Sequence, residues 1–128
     1  MANLGKIYKC EQCKNIVSVL EAGEGELVCC GEPMKIMEEK TAEQEGKEKH
    51  VPVVEINGNE VTVRVGSVNH PMEDSHYIEL IQIIKDNDVT IGKRLKPGQE
   101  PKAVFNMEDT SNIKARILCN IHGVWVSD

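Results

Sequence analysis

The chain has 128 residues, of which 40% are hydrophobic, so it can bury one medium-sized core together with a small additional module. Only 3% of the residues are aromatic, so we expect a core of valine, isoleucine and leucine, a composition that favours strands. The formal net charge of -6 argues against nucleic acid or an anionic membrane as a partner, because either would select a basic surface.

The amino-terminal residues contain no apolar run that could act as a signal peptide, and no stretch approaches transmembrane length. We therefore expect a cytoplasmic protein without a membrane partner. In that compartment the five cysteines are expected to bind metal or take part in catalysis rather than form disulfides. Because the number of cysteines is odd, we interpret them as one group of four and a single fifth cysteine.

The first motif is a C-x-x-C pair, Cys10 and Cys13, placed before an alternating apolar segment at residues 16–20. A turn of this kind aims both sulfurs the same way and is typical of a metal-binding knuckle. After fifteen intervening residues comes the adjacent pair Cys29 and Cys30, whose side chains suit a metal better than a strained disulfide. The four thiolates predict one tetrahedral site for iron or zinc, which stabilises a module too small to fold by its core alone.

A charged segment separates this module from the rest of the chain. A last short strand is predicted at residues 33–37, and residues 38–49 are then almost without apolar side chains. We interpret residues 38–49 as a solvated linker or a frayed helical turn. The predicted domains are therefore residues 1–37 and residues 38–128, the second beginning with the linker.

The second domain has an all-β pattern. Short runs rich in β-branched residues predict seven strands, and turn signals at residues 57–58, 86–88 and 96–98 separate several of them. Their number and spacing predict an immunoglobulin-like β-sandwich. The predicted strands are residues 51–56, 61–65, 77–84, 89–95, 102–107, 113–118 and 123–126. The loop at residues 70–76 interrupts the pattern, and its Pro71 permits a helix start at His70 but disfavours a strand.

A C-x-x-H motif, Cys119 and His122, follows the last long strand directly. A thiolate and an imidazole three residues apart at the end of a strand can bind one iron, zinc or copper ion. Two ligands do not complete a site, and the sequence has three other histidines: His50, His70 and His76. Each lies beside a predicted strand end or in a turn-rich segment, where a rigid scaffold usually presents ligands.

Short segments distributed along both predicted domains form a recognisable set. These segments are Tyr8-Lys9-Cys10 with Cys13, residues 27–34, Glu48-Lys49-His50-Val51-Pro52, His70-Pro71-Met72, His76-Tyr77-Ile78, Leu95-Lys96-Pro97-Gly98 and Cys119-Asn120-Ile121-His122-Gly123. With these segments the sequence resembles, across essentially its whole length, the desulfoferrodoxin family, the two-iron form of superoxide reductase.

The resemblance implies two iron sites. The first is a desulforedoxin-like, rubredoxin-type ferric site in residues 1–37, with ligands Cys10, Cys13, Cys29 and Cys30. The second cycles between ferrous and ferric iron in the sandwich domain, with His50, His70, His76 and His122 as a square of imidazoles and Cys119 as the axial thiolate. The opposite axial position would be open to substrate, or would be occupied by Glu48 in the oxidised resting state.

The implied activity is the one-electron reduction of superoxide to hydrogen peroxide without production of oxygen. Lys49 would attract the superoxide anion, a rubredoxin-like carrier would return the electron, and the protein would be a homodimer. The alternative is a non-catalytic metalloprotein, either a zinc-stabilised binding module or a one-electron carrier that uses the cysteine site alone. The grouping of every histidine with the fifth cysteine favours the reductase, because a binding module has no need of such a set.

Overall fold

The computed structural model describes residues 5–44, 50–66, 70–86 and 88–127. The chain divides into two compact units, Met1–Glu38 and Glu39–Asp128. Regular structure in the described residues consists of β-strands and one 3-10 helix, Ala42–Gln44, so the predicted all-β class is confirmed. No helix in this part of the chain is long and apolar enough to span a bilayer.

The first unit is built from very short strands. Strand β1 (Ile7–Lys9) lies between β2 (Ile16–Ser18) and β5 (Lys35–Ile36) in an antiparallel sheet, and β3 (Val28–Cys29) pairs with β4 (Glu32–Pro33). The strand predicted at residues 33–37 is thus split between β4 and β5. Few apolar side chains in this unit are buried, which is consistent with a fold that depends on a metal.

The second unit contains all seven predicted strands, each within one residue of its predicted bounds. They are β7 (Pro52–Asn57), β8 (Glu60–Val65), β9 (Ile78–Lys85), β10 (Asp88–Arg94), β11 (Lys102–Asn106), β12 (Ile113–Cys119) and β13 (Gly123–Val126). One sheet has the order β11-β8-β7. The other has the order β10-β9-β12-β13-β6, where β6 is Glu39–Lys40.

The core of this unit is aliphatic, as predicted. Every second residue of β8, namely Val61, Val63 and Val65, is fully buried, because alternate side chains of a strand point to the same face. Ile81 and Ile117 of the larger sheet belong to the same apolar cluster. Two sheets that share one core form the predicted immunoglobulin-like sandwich.

The structure differs from the sequence interpretation at the start of the predicted linker, residues 38–49. Glu39–Lys40 forms strand β6, which pairs in parallel with Val124 and Trp125 of β13. The Glu39 carboxylate accepts a hydrogen bond from the guanidinium of Arg116 at 3.0 Å, which fixes these charged residues on the sheet. Residues 45–49 lie outside the described part of the chain.

The loop at residues 70–76 is a tight turn, and the helix start that Pro71 permits is not formed. The backbone N–H of Glu73 donates to the carbonyl of His76 at 2.9 Å, and the N–H of His76 donates back at 3.0 Å. This isolated bridge closes the loop just before β9 begins. It therefore fixes the backbone of His76.

Candidate metal centres

Five side chains of the second unit converge on one point, and they are the five that the sequence analysis selected. One ligand atom from each lies within 4.8 Å of the others; the residues are His50, His70, His76, Cys119 and His122. His50, His70 and Cys119 are buried, with exposures of 3%, 4% and 1%. The two remaining histidines are half-buried, so the cluster reaches the surface on their side.

The four imidazoles form an approximate square. Centroids of neighbouring rings are separated by 4.6 Å (His50 to His70 and His50 to His122), 4.7 Å (His70 to His76) and 5.0 Å (His76 to His122). The diagonal from His50 to His76 is longer, at 6.4 Å. The Cys119 sulfur lies 3.7 Å from Nε2 of His70 and 3.8 Å from Nδ1 of His122.

Local hydrogen bonds favour the metal-binding form of two of these ligands. Nδ1 of His70 lies 2.7 Å from the carbonyl oxygen of Pro71, so Nδ1 carries the proton and donates it to that carbonyl. Nε2, which lies 3.7 Å from the Cys119 sulfur, then has its lone pair available for a metal. The backbone N–H of His122 lies 3.5 Å from the Cys119 sulfur, where it stabilises negative charge. Both contacts favour the metal-binding form of the ligand.

Asn120, inside the C-x-x-H turn, connects two ligand-bearing segments, and the sequence analysis did not select it. Its Oδ1 accepts from the N–H of Tyr77 at 2.9 Å, and its Nδ2 donates to the carbonyl of Ser75 at 3.1 Å. The backbone N–H of Asn120 also donates to the carbonyl of Tyr77 at 3.2 Å. These bonds fix the turn that carries His122 against the residues on both sides of His76.

Trp125 and Lys40 were also missed. The Trp125 ring stacks on His50, with 4.8 Å between centroids and 15° between planes. Its indole N–H and the Lys40 ammonium both donate to the carbonyl oxygen of His122, at 3.2 and 2.9 Å. The only sequence signal for this arrangement is that Trp125 is the single tryptophan of the chain and lies three residues after His122.

The first unit holds the four-cysteine group. The sulfurs of Cys10, Cys13, Cys29 and Cys30 lie within 4.8 Å of one another, and none of these cysteines forms a disulfide. The adjacent pair converges because Cys30 has a left-handed φ of 53°, which turns the backbone sharply and leaves its sulfur 3.9 Å from that of Cys29. A fully extended backbone would direct the two side chains apart.

Hydrogen bonding shifts the pKa values of Cys10, Cys29 and Cys30 in different directions. The pKa of Cys10 is lowered to about 7, mainly because its sulfur accepts a hydrogen bond from the backbone N–H of Cys13. Hydrogen bonds with the side chains of Cys13 and Cys10, together with burial, raise the pKa of Cys29 to about 12. The pKa of Cys30 is also raised, chiefly by its contact with Cys13. Four thiolates so close together need the charge of a bound metal, which deprotonates coordinating thiols.

The donor atoms of both groups fit iron. The four-sulfur set matches the tetrahedral geometry that iron and zinc accept. The second set has four imidazoles and one thiolate, one donor more than a structural zinc site takes, and these donors suit a non-haem iron better than Mg²⁺ or Ca²⁺. Five donors from the described residues leave one position of a six-coordinate iron for another ligand.

The two residues predicted to take part in catalysis, Glu48 and Lys49, lie outside the described residues. They directly precede His50, which is buried in the five-residue set. Their connection with the site therefore rests on this adjacency in the sequence and on the resemblance described above.

Fold and donor sets together define a class of protein: a non-haem metalloprotein with a four-thiolate site in a small β module and a four-histidine, one-cysteine site in an immunoglobulin-like sandwich. The model of the desulfoferrodoxin family matches residues 42–128, and that of the desulfoferrodoxin N-terminal domain matches residues 2–37. The chain belongs to the desulfoferrodoxin family, and both iron-binding sites of that family are present.

Individual relatives agree with this assignment. The chain is 58% identical over 127 residues to a desulfoferrodoxin homolog of Archaeoglobus fulgidus, and the match covers 99% of each chain. It is 52% identical over 128 residues to the desulfoferrodoxin of Nitratidesulfovibrio vulgaris, covering 100% of this chain and 99% of the relative. Among solved structures, it is similar to the superoxide reductase from Treponema pallidum, with a TM-score of 0.73, 28% identity and coverage of 96% and 97%.

Proposed function

We propose that this protein is a superoxide reductase, which combines one superoxide anion, one electron and two protons to form one molecule of hydrogen peroxide. The observation that carries the proposal is the buried convergence of four imidazoles and one thiolate in the second unit. The similarity to the Treponema pallidum superoxide reductase over 96% of the chain supports it. Iron held by these five residues would supply the electron by passing from the ferrous to the ferric state.

Cys119 accounts for the direction of the reaction. Its sulfur is buried and lies beside His70 and His122, so it would hold the iron together with the imidazoles. A thiolate donates electron density to the iron that it binds. It therefore favours transfer of an electron to superoxide and disfavours withdrawal of an electron from a second superoxide. Because a dismutase needs that second reaction to make oxygen, the thiolate favours a reductase.

We assign guidance of the substrate to Lys49. At a separation of roughly 6 Å one positive charge attracts an anion by about 0.7 kcal/mol in bulk water and by about 3 kcal/mol at an effective dielectric constant of 20. An attraction of this size matters for an anion that approaches a chain with a net charge of -6. Glu48 would bind the remaining position of the iron in the oxidised resting state and would have no part in the capture of superoxide.

The remaining proposals concern the two domains, the electron donor, the oligomeric state and the cellular compartment. Residues 1–37 would form the iron module and residues 38–128 the catalytic domain. A rubredoxin-like carrier would return one electron after each turnover, and the protein would act as a cytoplasmic homodimer. The donor, the dimer and the compartment rest on the family resemblance and on the sequence.

The metal content tests the site assignment. Protein purified from native cells should contain two irons per chain and show visible thiolate-to-iron absorption bands. Colourless protein that carries zinc in both sites would contradict the reductase and favour a zinc-stabilised binding module.

Pulse radiolysis of the reduced protein tests the role of Lys49. Lys49→Ala should slow superoxide consumption by about ten- to a hundredfold, equivalent to about 1.4 to 2.8 kcal/mol of barrier. The effect should shrink as salt rises, since charges near solvent are screened over about 8 Å at physiological ionic strength. Lys47→Ala is the matched control, because it removes the same charge two residues away; Glu48→Ala should change only the spectrum of the resting oxidised protein. Equal rates for the wild type and Lys49→Ala at low salt would remove the guidance role.

A further inference from the structure

Lys40 occupies a fixed place on the edge of the larger sheet. It pairs with Trp125 in the parallel register of β6 with β13. Its neighbour Glu39 is bound to the buried Arg116 at 3.0 Å, which anchors the strand. The backbone of Lys40 is therefore held beside β13, directly after the turn that carries His122.

The Lys40 side chain is directed toward that turn. Its ammonium donates to the carbonyl oxygen of His122 at 2.9 Å and lies 5.4 Å from the centroid of the Trp125 ring. The indole N–H of Trp125 donates to the same carbonyl at 3.2 Å. A carbonyl oxygen has two lone pairs, so these two donors can both be satisfied and together fix the peptide of His122.

The same tryptophan contacts a second histidine. Trp125 is 4% exposed and stacks nearly parallel on His50, so the position of its ring determines the tilt of that imidazole. His50 and His122 are themselves neighbours, with 3.1 Å between Nε2 of one and Nδ1 of the other. The Lys40 side chain is thus linked to two neighbouring histidines of the set. It is linked to one through the carbonyl oxygen of His122 and to the other, His50, through the Trp125 ring.

We propose that Lys40 is a positioning residue for the iron site, acting through the His122 carbonyl and the Trp125 ring. Lys40 is not one of the five residues that could hold the iron. Partners that orient metal-binding histidines from outside the ligand set typically contribute ten- to a hundredfold to metal affinity. The proposal deepens the proposed function by taking the five-residue set as the iron site, and it makes no assumption about the reaction with superoxide.

The test measures how strongly iron is held at this site in the full-length protein. Lys40→Met keeps most of the aliphatic chain but removes the charge and the donor, and should weaken iron binding by about ten- to a hundredfold in competition with a ferrous chelator. The iron of the four-cysteine site in the same molecules is the internal reference and should be retained. Lys40→Arg retains a cationic donor and should restore iron binding to within about threefold of the wild type.

Lys85→Met is the matched control. Lys85 is also a half-buried lysine that donates to a carbonyl, that of Ser111 at 2.7 Å. It lies at the end of β9 seven residues from Ile78, roughly 23 Å along the strand from the site. This variant should hold iron as the wild type does. Near-ultraviolet circular dichroism of Trp125, the single tryptophan, should change in Lys40→Met and stay unchanged in Lys85→Met.

Three results would overturn the proposal: wild-type iron binding in Lys40→Met, equal losses in Lys40→Met and Lys40→Arg, or an equal loss in Lys85→Met. If Lys40→Met does not fold, Lys40→Gln tests the same contacts, because it removes the charge beside the Trp125 ring and shortens the side chain that donates to the His122 carbonyl. Unchanged iron binding in Lys40→Gln would then count against the proposal. Absence of superoxide reduction in the fully iron-loaded wild type would contradict the proposed function instead.

Discussion

The ion pair between Glu39 and Arg116 provides a quantitative test of the second unit. Arg116 is 2% exposed and the Glu39 side chain 25% exposed, so the pair is largely shielded from water. Burial lowers the pKa of Arg116, and the hydrogen bond with Glu39 acts in the opposite direction. Glu39→Ala would leave a buried guanidinium without its carboxylate.

Removing one partner of a fully buried pair costs about 3 to 5 kcal/mol, whereas a surface pair contributes about 0 to 1 kcal/mol. Because Glu39 is partly exposed, we expect Glu39→Ala to lower the free energy of unfolding by about 2 to 3 kcal/mol. For a unit of this size, that loss lowers the Tm by about 10 to 20 °C. Glu43→Ala, at an exposed position of the adjacent 3-10 helix, should change stability by less than about 0.5 kcal/mol.

The assay is thermal and urea unfolding of the iron-loaded variants at a fixed iron concentration, since bound metal contributes to apparent stability. Arg116 also donates to the amide oxygen of the buried Gln82, at 2.9 and 2.7 Å. The triple variant Glu39→Ala, Arg116→Met and Gln82→Leu should therefore be more stable than Glu39→Ala alone, because it removes the buried charge together with both of its partners. If Glu39→Ala were as stable as Glu43→Ala, the charged segment would be the solvated linker that its composition suggested, and the structural argument would be wrong.

Substitutions at three further positions test the sites. Cys13→Ser should disrupt the four-cysteine iron and leave superoxide reduction largely intact, since the two ligand sets lie in different units; loss of most activity together with that iron would show that the sites are coupled. Cys119→Ser should remove the thiolate absorption band of the second site and abolish turnover, because oxygen donates less electron density than sulfur; retained activity would place the chemistry elsewhere. Asn120→Ala should lower the free energy of unfolding by about 1 to 2 kcal/mol through two lost hydrogen bonds, and Asn120→Asp, which keeps the acceptor for Tyr77, should lose about half as much. Equal losses for both Asn120 variants would contradict the assigned contacts.

The elements that could be predicted from the sequence are those with a local signal. The strands of the second unit follow from short apolar runs separated by turn residues, as in the alternating Val61, Val63 and Val65. The metal-binding groups follow from the spacing of cysteine and histidine in motifs such as Cys119-x-x-His122, because these residue types are the usual ligands of iron and zinc.

What could not be predicted depends on contacts between distant positions. Glu39 and Lys40 belong to a charged run that is typical of solvated segments, and their partners Arg116 and His122 lie about eighty residues further along the chain. The role of Asn120 depends on the register of β12 with β9, which places Asn120 beside Tyr77. The convergence of the Cys29 and Cys30 sulfurs depends on a left-handed residue that the sequence does not mark.

The stoichiometry of the products tests the central claim most directly. Iron-loaded, fully reduced protein is mixed with a limiting amount of superoxide, and hydrogen peroxide and oxygen are measured in the same sample. The account predicts one hydrogen peroxide per superoxide consumed and no oxygen beyond that of spontaneous dismutation. One hydrogen peroxide and one oxygen per two superoxide anions would define a dismutase, and consumption no faster than in protein-free buffer would define a non-catalytic metalloprotein; either result would contradict the account.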